Sequence, residues 1–475
     1  MRGARVLFIV FVVVLSSLAR RAAAEKVIAN IDGWQVYTDG RVGGFVSWAY
    51  GDGYPQPQYG HDAMGNFVSM PVDSPQEGGG FRATSQQGVA ADPATTNNVP
   101  IPNQGTINMV RLRSGFITNV FGFGVRGPLI GNTTLTGYIQ IWAFVENNGR
   151  QKNLPNYPDA RQGYLKLEGP WGSFSAGRMR ALFSRGATDI DTLYAHRWGV
   201  GFPGKIDNNG PTTGQLGFGV LGSGFTSAVM YATPVYGGLQ VTVGLLDPVQ
   251  LQGSGAWTRT KYPRPEAELT YERTFMNGWG KAFVFGNGAY QKVYKDGLCT
   301  PVMDPDTLKV IGCDATVAGA GFGGRLELGP FRVGVAGHYG QGLGLYYALE
   351  ASDAAQDKEG NLRTISGAYV QTNVLVRKAE LFAGWGIAQV YLTDYDKKHT
   401  EQDPRDPNNP NARIFPFSVP KYQMGINAGI VYHLTPAFHF DLDFFRAEAA
   451  WYSVNGFIGQ KQVVWVGNGG MTASW

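Results

Sequence analysis

Hydrophobic and polar residues alternate with a period of two in many segments of this chain, which places every second side chain on the same face of a β-strand. In the segment 266–272, glutamates and a threonine occupy the even positions, whereas Ala267, Leu269 and Tyr271 occupy the odd ones. The same alternation recurs in three other segments, 163–168, 423–433 and 438–444. Each segment predicts a strand with one polar and one apolar face.

The connections between these segments fall into two classes that alternate along the chain. Short turns rich in Gly and Pro lie at Gly127–Asn132, Gly169–Gly172, Tyr236–Gly238, Asn277–Gly280, Gly329–Pro330, Arg377–Lys378 and Thr435–Pro436. Long polar loops lie at Gly51–Gly105, Asn147–Arg161, Ala181–Gln215, Pro248–Arg264, Lys292–Asp314, Gln341–Arg363, Leu392–Pro420 and Ser453–Lys461. This pattern predicts an all-β fold, a closed antiparallel transmembrane β-barrel of about sixteen strands with short periplasmic turns and long extracellular loops.

Two stretches break the regular pattern. Between Arg111 and Arg126 the apolar residues change phase, because Val110 and Leu112 share one face but Phe121 and Phe123 share the other. The stretch from Leu216 to Thr233 is long for a strand and rich in glycine. We expect β-bulges in both stretches.

The first 24 residues predict a secretory signal peptide. Arg2 and Arg5 precede an apolar run from Val6 to Leu18, and small residues end at Ala24. A membrane anchor needs about twenty apolar residues, and this run is too short. We therefore expect cleavage after residue 24 and a single β-barrel domain over residues 25–475.

Removal of this segment changes the charge of the protein. The whole chain has 40 basic and 36 acidic residues, a net charge of +4. The signal segment contains four arginines and no acid, so the mature chain has a net charge of zero. Nucleic-acid binding is therefore not expected, because it depends on an excess of clustered Lys and Arg.

The composition also narrows the class. After the signal segment no apolar run is long enough for a transmembrane helix, and the mean hydropathy is −0.16. The mean hydropathy of barrel strands lies near this value because lipid-facing apolar residues alternate with lumen-facing polar ones.

The two cysteines, Cys299 and Cys313, lie in one predicted loop. In an exported chain we interpret them as a disulfide, which in the chain-entropy model contributes about 3 kcal/mol for a loop of roughly fifteen residues. A metal site is the alternative, but neither a CxxC motif nor a nearby histidine supports it.

The sequence contains no catalytic or metal-binding motif. HExxH, G-x-S-x-G and P-loop patterns are absent, and none of the six histidines stands at metal-ligand spacing from another. The glycines of 319–324 faintly match a dinucleotide loop, but we interpret them as a glycine-rich strand because no helix follows. We expect neither an enzyme, nor a cofactor, nor a bound metal.

Several motifs resemble the Gram-negative outer-membrane general porin family. They are the terminal Met471–Trp475, Arg111–Phe116, Gly177-Arg178, Phe183–Asp191 and Phe440–Phe445. The resemblance spans the mature chain. It implies export through the periplasm to the outer membrane, a homotrimer of barrels in contact with lipid and lipopolysaccharide, and a third loop that folds into the barrel to narrow the pore.

Charged residues supply the candidate site. The resemblance implies a constriction in which basic wall residues oppose acidic loop residues, formed by Arg111, Arg113, Arg178, Arg180, Arg185, Asp189 and Asp191. The alternative is that Asp189 and Asp191 only tie the loop to the wall. The remaining pore wall is predicted to include Glu266, Glu268, Glu272, Arg325, Asp441 and Asp443.

These features predict a water-filled channel for passive diffusion of small hydrophilic solutes and ions. A channel selective for sugars or anions is the alternative, because Tyr138, Trp142 and Phe144 share the lumen side of the third strand, although they also suit stacking against a loop. A secreted soluble β-rich binding protein or hydrolase is a more distant alternative.

Overall fold

Sixteen strand positions follow one another around a closed antiparallel sheet in the part of the chain that the structure describes. The strands are β1 (Trp34–Asp52), β2 (in two segments, Thr106–Arg113 and Asn119–Arg126), β3 (Thr134–Ala143), β4 (Asp159–Gly169), β5 (Gly172–Arg180), β6 (Phe225–Ala232), β7 (Leu239–Leu246), β8 (Arg264–Phe275), β9 (Gly280–Tyr294), β10 (Asp314–Leu328), β11 (Phe331–Gln341), β12 (Thr364–Val376), β13 (Ala379–Tyr391), β14 (Val419–Thr435), β15 (Phe438–Val454) and β16 (Lys461–Ser474).

This computed structural model describes most of the chain from residue 25 onwards. The described residues are 25–52, 56–57, 59–61, 67–69, 102–103, 106–113, 119–143, 159–191, 215–249, 259–295, 302–303, 310–345, 349, 355–357, 360–398, 401–402, 408, 413–414, 419–454, 457–458 and 461–475. The predicted signal segment and Phe144 therefore lie outside them.

The barrel closes between its first and last strands. β16 pairs with β1 from Arg41 opposite Ser474 to Gly51 opposite Val464. A short N-terminal strand, Lys26–Ile31, pairs with the beginning of β1. Closure pairs the edge strands with each other, as spanning a bilayer requires. The prediction of about sixteen strands is confirmed.

Each strand has an apolar outer face and a largely polar or small-residue inner face. In β1, Val46 is 51% exposed whereas the adjacent Ser47 is 1% exposed. In β15, Leu442 and Phe444 are exposed and Asp443 is buried. The alternation in the sequence therefore predicted correctly which side chains of these strands face outwards.

The predicted short turns match the observed connections. Turns of two residues join β10 to β11, β12 to β13 and β14 to β15, and a short 3-10 segment, Met276–Gly278, lies between β8 and β9. Short strand pairs lie within the long connections: Gln56–Pro57 with Pro102–Asn103, Tyr59–His61 with Phe67–Ser69, Val302–Met303 with Val310–Ile311, and Glu401–Gln402 with Arg413–Ile414. The short strand Phe457–Ile458 extends β15.

Two short helices also lie in the long connections. They are α1 (Arg185–Ile190) and α2 (Asp394–Lys398). Among the described residues, no helix has the length and apolar character needed to cross a membrane.

The phase change in β2 has a simple geometric cause. Between the pair Phe45–Arg113 and the pair Arg41–Val120, β1 advances by four residues whereas β2 advances by seven. β2 therefore contains three extra residues, which is an odd number. As a result, the outward-facing residues of β2 change from even-numbered to odd-numbered positions. The irregularity expected between Arg111 and Arg126 is confirmed.

The boundary of β6 corrects the prediction of a long strand over Leu216–Thr233. The strand begins at Phe225, and residues 215–224 instead form turns inside the barrel. Leu216, Val220 and Leu221 are buried in one apolar cluster with barrel residues. The segment 216–221 lacks polar residues at alternate positions, which a lumen-facing strand would have.

Candidate functional site

The third long loop turns into the barrel directly after β5. Leu182 and Phe183 are fully buried, and α1 packs on β9, β10 and β11. A Cβ atom at Gly186 would lie 2.2 Å from the ring of Phe285, an inward-facing residue of β9. Glycine at this position therefore allows the helix to lie flat against the inner wall.

Glu266 of β8 fixes the start of this loop. Its Oε2 atom accepts hydrogen bonds from the backbone amides of Leu182 at 2.7 Å and Phe183 at 2.9 Å. Its Oε1 atom lies 2.8 Å from Nε of Arg264. Hydrogen bonds to an ionised acceptor are stronger than neutral ones. The carboxylate is thus buried beneath the loop and anchors it.

Glu268, two residues further along β8, holds the first turn of α1. Nε of Arg185 donates a hydrogen bond of 2.9 Å to Oε2 of Glu268, and Arg185 Nη2 also contacts this oxygen. The glutamate is buried, whereas about a quarter of the arginine side chain is exposed. The face predicted as pore wall is therefore covered here by the loop.

Arg180 joins both ends of the loop. Its guanidinium is bonded to Asp189 at 2.8 Å and donates to the hydroxyl of Ser223 at 2.9 Å. It also donates to the carbonyl of Arg185 at 3.1 Å and to the hydroxyl of Thr188. The arginine at the end of β5 therefore fixes α1 and the returning arm relative to each other.

The returning arm, residues 215–224, crosses to the opposite side of the lumen. Asp191 accepts a hydrogen bond of 3.0 Å from the Gln215 amide, and the Phe218 ring packs edge-on against Phe445 of β15 with centroids 5.0 Å apart. Gly219, at φ +103°, approaches Ala368 of β12 too closely for a Cβ atom. The loop therefore contacts walls that are far apart around the barrel.

The structure brings together four of the seven predicted constriction residues: Arg180, Arg185, Asp189 and Asp191. Asp191 is buried and Asp189 is 47% exposed. Asp189 bonds to Arg180 at the end of β5, as the loop-tying interpretation expects, whereas Asp191 bonds to the Gln215 amide within the loop.

Arg178 does not join this cluster. It is exposed on the outward face of β5, in the same row as Phe174, and pairs with Ser227. Its position corrects the expectation that it lines the constriction. The alternation of β5 places Arg178 outward, whereas Arg180 lies at the strand end, where the chain turns inwards.

Arg111 and Arg113 occupy strand positions on the inner side of β2. They pair with Ser47 and Phe45 of β1, whose side chains are buried inside the barrel. Val110 and Leu112, between and beside them, are exposed on the outside. The side chains of the two arginines lie outside the described part of the structure.

A band of ion pairs follows the inner wall near the short-turn end of the barrel. Arg325 lies 3.0 Å from Glu327, Arg332 lies 3.7 Å from Glu327 and 3.1 Å from Glu380, and His433 lies 3.4 Å from Glu380. Arg325 also donates to the carbonyl of Asp189 at 3.1 Å. The sequence prediction included Arg325 but missed Glu327, Arg332 and Glu380, although their inward parity signalled them.

The other predicted wall acids lie on β8 and β15. Asp443 accepts from the Asn468 amide at 2.8 Å, and Asn468 accepts from Ser47 at 2.6 Å. Asp441 is buried and interacts electrostatically with Arg41. Glu272 is exposed and pairs with Lys281 at 2.9 Å. These residues lie on the inner face, with the acids spread around the barrel.

Aromatic residues cover the inner wall of β1 to β4. The Tyr138 ring stacks on Tyr37 and contacts Tyr164, and its hydroxyl donates to Asp39 at 2.8 Å. Trp142 packs against Phe225, and Arg161 lies 4.8 Å from its ring centroid. Tyr138 is 8% and Trp142 5% exposed. Neither ring offers a free face to a solute.

At the long-loop end of the barrel, a buried ion pair connects the sixth and seventh long loops. Arg363 binds both carboxylate oxygens of Asp396 at 2.7 Å and donates to the carbonyl of Gln356 at 2.6 Å. Leu343 and Leu362 of the sixth loop join the apolar cluster that contains Phe183. The third and sixth loops therefore share a core inside the barrel mouth.

Cys313 is disulfide-bonded, and none of the cysteines in the described residues is free. Its predicted partner, Cys299, lies outside these residues. A search of the described ranges finds no group of three or more His, Cys, Asp and Glu residues placed to hold a metal ion.

Comparison with known proteins identifies the fold. No family model and no curated protein matches the sequence. Among solved structures, the outer membrane channel DcaP of Acinetobacter baumannii is 12% identical, with 95% of this chain and 100% of that chain covered and a TM-score of 0.60. An anion-selective porin from Comamonas acidovorans is 12% identical, with 93% and 100% covered and a TM-score of 0.50. At this identity the similarity shows a shared barrel architecture.

Proposed function

We propose that the mature chain is an outer-membrane porin that allows small hydrophilic solutes and ions to diffuse passively through the barrel. The main support is the closed sixteen-stranded wall, apolar outside and polar inside, with the third loop anchored across its lumen. An open water path beside an anchored loop needs no energy source and no catalytic group.

The charged side chains around the third loop set the ion preference in this proposal. Arg180, Arg185 and Asp189 retain between a quarter and half of their side-chain exposure. Charges that line a narrow pore act on permeating ions more strongly than charges in bulk water. Arg111 and Arg113, at inner strand positions, add positive charge on the opposite wall.

The cellular setting belongs to the same proposal. Residues 1–24 direct export and are then cleaved, and the mature barrel passes through the periplasm to span the outer membrane among lipid and lipopolysaccharide. The resemblance to general porins supports a homotrimer, and the disulfide of Cys313 with Cys299 closes the fifth long loop.

General diffusion is a better explanation than selective sugar transport. A sugar path needs accessible aromatic faces, but Tyr138 and Trp142 are stacked and covered. The solved structure of an anion-selective porin shares only the fold at 12% identity, and the mature net charge of zero does not by itself favour anions.

Swelling of liposomes that contain the purified protein tests this proposal. Uncharged sugars of increasing size should enter at rates that fall smoothly with size and rise linearly with concentration. Saturation with one sugar would support a selective channel instead. A folded, detergent-extracted barrel that lets no solute enter would contradict a porin.

A further inference from the structure

The outer surface carries an unpaired arginine among apolar side chains. Arg178 is exposed on the outward face of β5, where Phe174 is also exposed. In the described part of the chain, no acceptor forms a hydrogen bond or ion pair with Arg178. A guanidinium exposed on a lipid-facing wall is suited to bind an anionic lipid head group.

The height of Arg178 in the membrane limits what that partner is. The residue stands two positions before the end of β5, where the third long loop begins. Long loops lie on the extracellular side of outer-membrane barrels, and charges on the lipid face are tolerated near the interface but not at the midplane. Arg178 therefore lies at the level of the extracellular head groups, which in this membrane carry phosphates.

An apolar groove of about 600 Å³ lies on the same outer face. Its outward-facing lining includes Phe174, Val229, Tyr231, Val243, Leu245 and Tyr290. The small residues Ala267 and Gly288 leave the groove open between these larger side chains. A Cβ atom at Gly288 would meet only the Gly319 carbonyl, at 3.5 Å. The groove has the surface character that an acyl chain requires.

Among the described residues at the extracellular rim above the groove, basic side chains outnumber acidic ones. Between β5 and β10 the described rim cations are Arg178, Arg259, Lys261, Lys292 and Lys295, and the rim acids are Asp247 and Asp314. Lys292 pairs with Asp314 at 3.2 Å, and Lys261 lies 4.4 Å from the Tyr294 ring centroid. Five cations against two acids complement an anionic head group above an apolar tail.

We propose that Arg178 and this groove form a binding site for lipopolysaccharide, with an acyl chain in the groove and a lipid A phosphate on the guanidinium. Arginine suits this role because its planar fork of donors matches phosphate oxygens. The site rests on the proposed outer-membrane location but not on conduction, because Arg178 and the outward-facing lining residues named above face away from the lumen.

Binding of purified lipid A to the detergent-solubilised protein tests the site. Arg178→Gln and Gly288→Leu should each weaken binding about tenfold or more, because they remove the phosphate contact or fill the groove. Arg273→Gln is the matched control: Arg273 is exposed on the outward face of β8 near the periplasmic end, and its substitution should leave binding unchanged. With dephosphorylated lipid A, the wild type and Arg178→Gln should bind equally.

Heat-dependent gel mobility confirms that each variant is folded, and its ion conductance should equal that of the wild type. Equal lipid A binding by wild type, Arg178→Gln and Gly288→Leu would overturn the site. Dissociation of an oligomer into monomers by either variant would also overturn it, because a second copy of this chain would then cover the groove. If the folded barrel binds lipid A but does not conduct ions, the porin proposal is contradicted and the lipid A site is still supported.

Discussion

Arg185, the first residue of α1, donates a hydrogen bond of 2.9 Å to the buried carboxylate of Glu268 on β8. With the two amides bound by Glu266, this contact means that one barrel strand determines where the third loop enters the lumen. The width of the pore in this account depends on two glutamates rather than on the loop alone.

Replacement of Glu266 by Ala should raise single-channel conductance and current noise. The substitution removes the acceptor of two charge-assisted hydrogen bonds, a loss of about 1.5–3 kcal/mol for each such bond, and releases the loop from the wall. Planar-bilayer recording measures both quantities. Glu272→Ala is the control, because Glu272 lies on the same face of the same strand but pairs with Lys281. An equal effect of both substitutions would argue against the anchor.

Replacement of Asp189 by Asn should shift the channel towards anions. Asp189 is the exposed acid of the constriction, and without its charge Arg180 is left uncompensated. The cation-to-anion permeability ratio should fall by about two- to fivefold, the scale of a partly exposed ion pair. Reversal potentials in a salt gradient measure this ratio. Asp191→Asn should change the ratio less because Asp191 is buried, and the opposite ranking would contradict the arrangement.

Replacement of both Arg111 and Arg113 by Ser should shift the reversal potential towards cation preference. Their strand positions on the inner side of β2 place positive charge along the pore wall. An unchanged reversal potential, in variants that insert and conduct normally, would remove these arginines from the selectivity zone.

Replacement of Arg363 by Met should destabilise the extracellular end of the barrel. Both partners of the Arg363–Asp396 pair are buried, and removal of one partner leaves an uncompensated charge, which costs about 3–5 kcal/mol. Equilibrium unfolding in denaturant measures this loss, and protease digestion should show earlier cleavage of the sixth and seventh loops. The double substitution Arg363→Met with Asp396→Leu should recover most of the stability. No recovery would show that the pair contributes more than charge compensation.

Local alternation made the barrel predictable from the sequence. A residue such as Leu442 between Asp441 and Asp443 has its face determined by a period of two, and turns such as Gly329–Pro330 mark where strands end. The phase change in β2 was visible for the same reason.

The site was only partly predictable because its contacts join distant segments. Glu266 belonged to the expected wall, but its bonds to Leu182 and Phe183 depend on how the loop folds across the barrel. Arg178 and Arg180 are two residues apart, so a regular strand would place both side chains on the same face. Only Arg180 reaches the lumen, because β5 ends at this residue and the chain turns inwards. The segment 216–221 lacks the alternation of a strand, but its burial in an apolar cluster with barrel residues depends on how the loop folds across the lumen.

Single-channel recording of the purified, folded protein in a planar bilayer tests the central claim most directly. The account predicts discrete openings with a linear current–voltage relation at low voltage and a conductance that rises in proportion to salt concentration, as for a water-filled pore. Glu266→Ala should open wider than the wild type. A correctly folded barrel that inserts into the bilayer and passes no current would contradict the account.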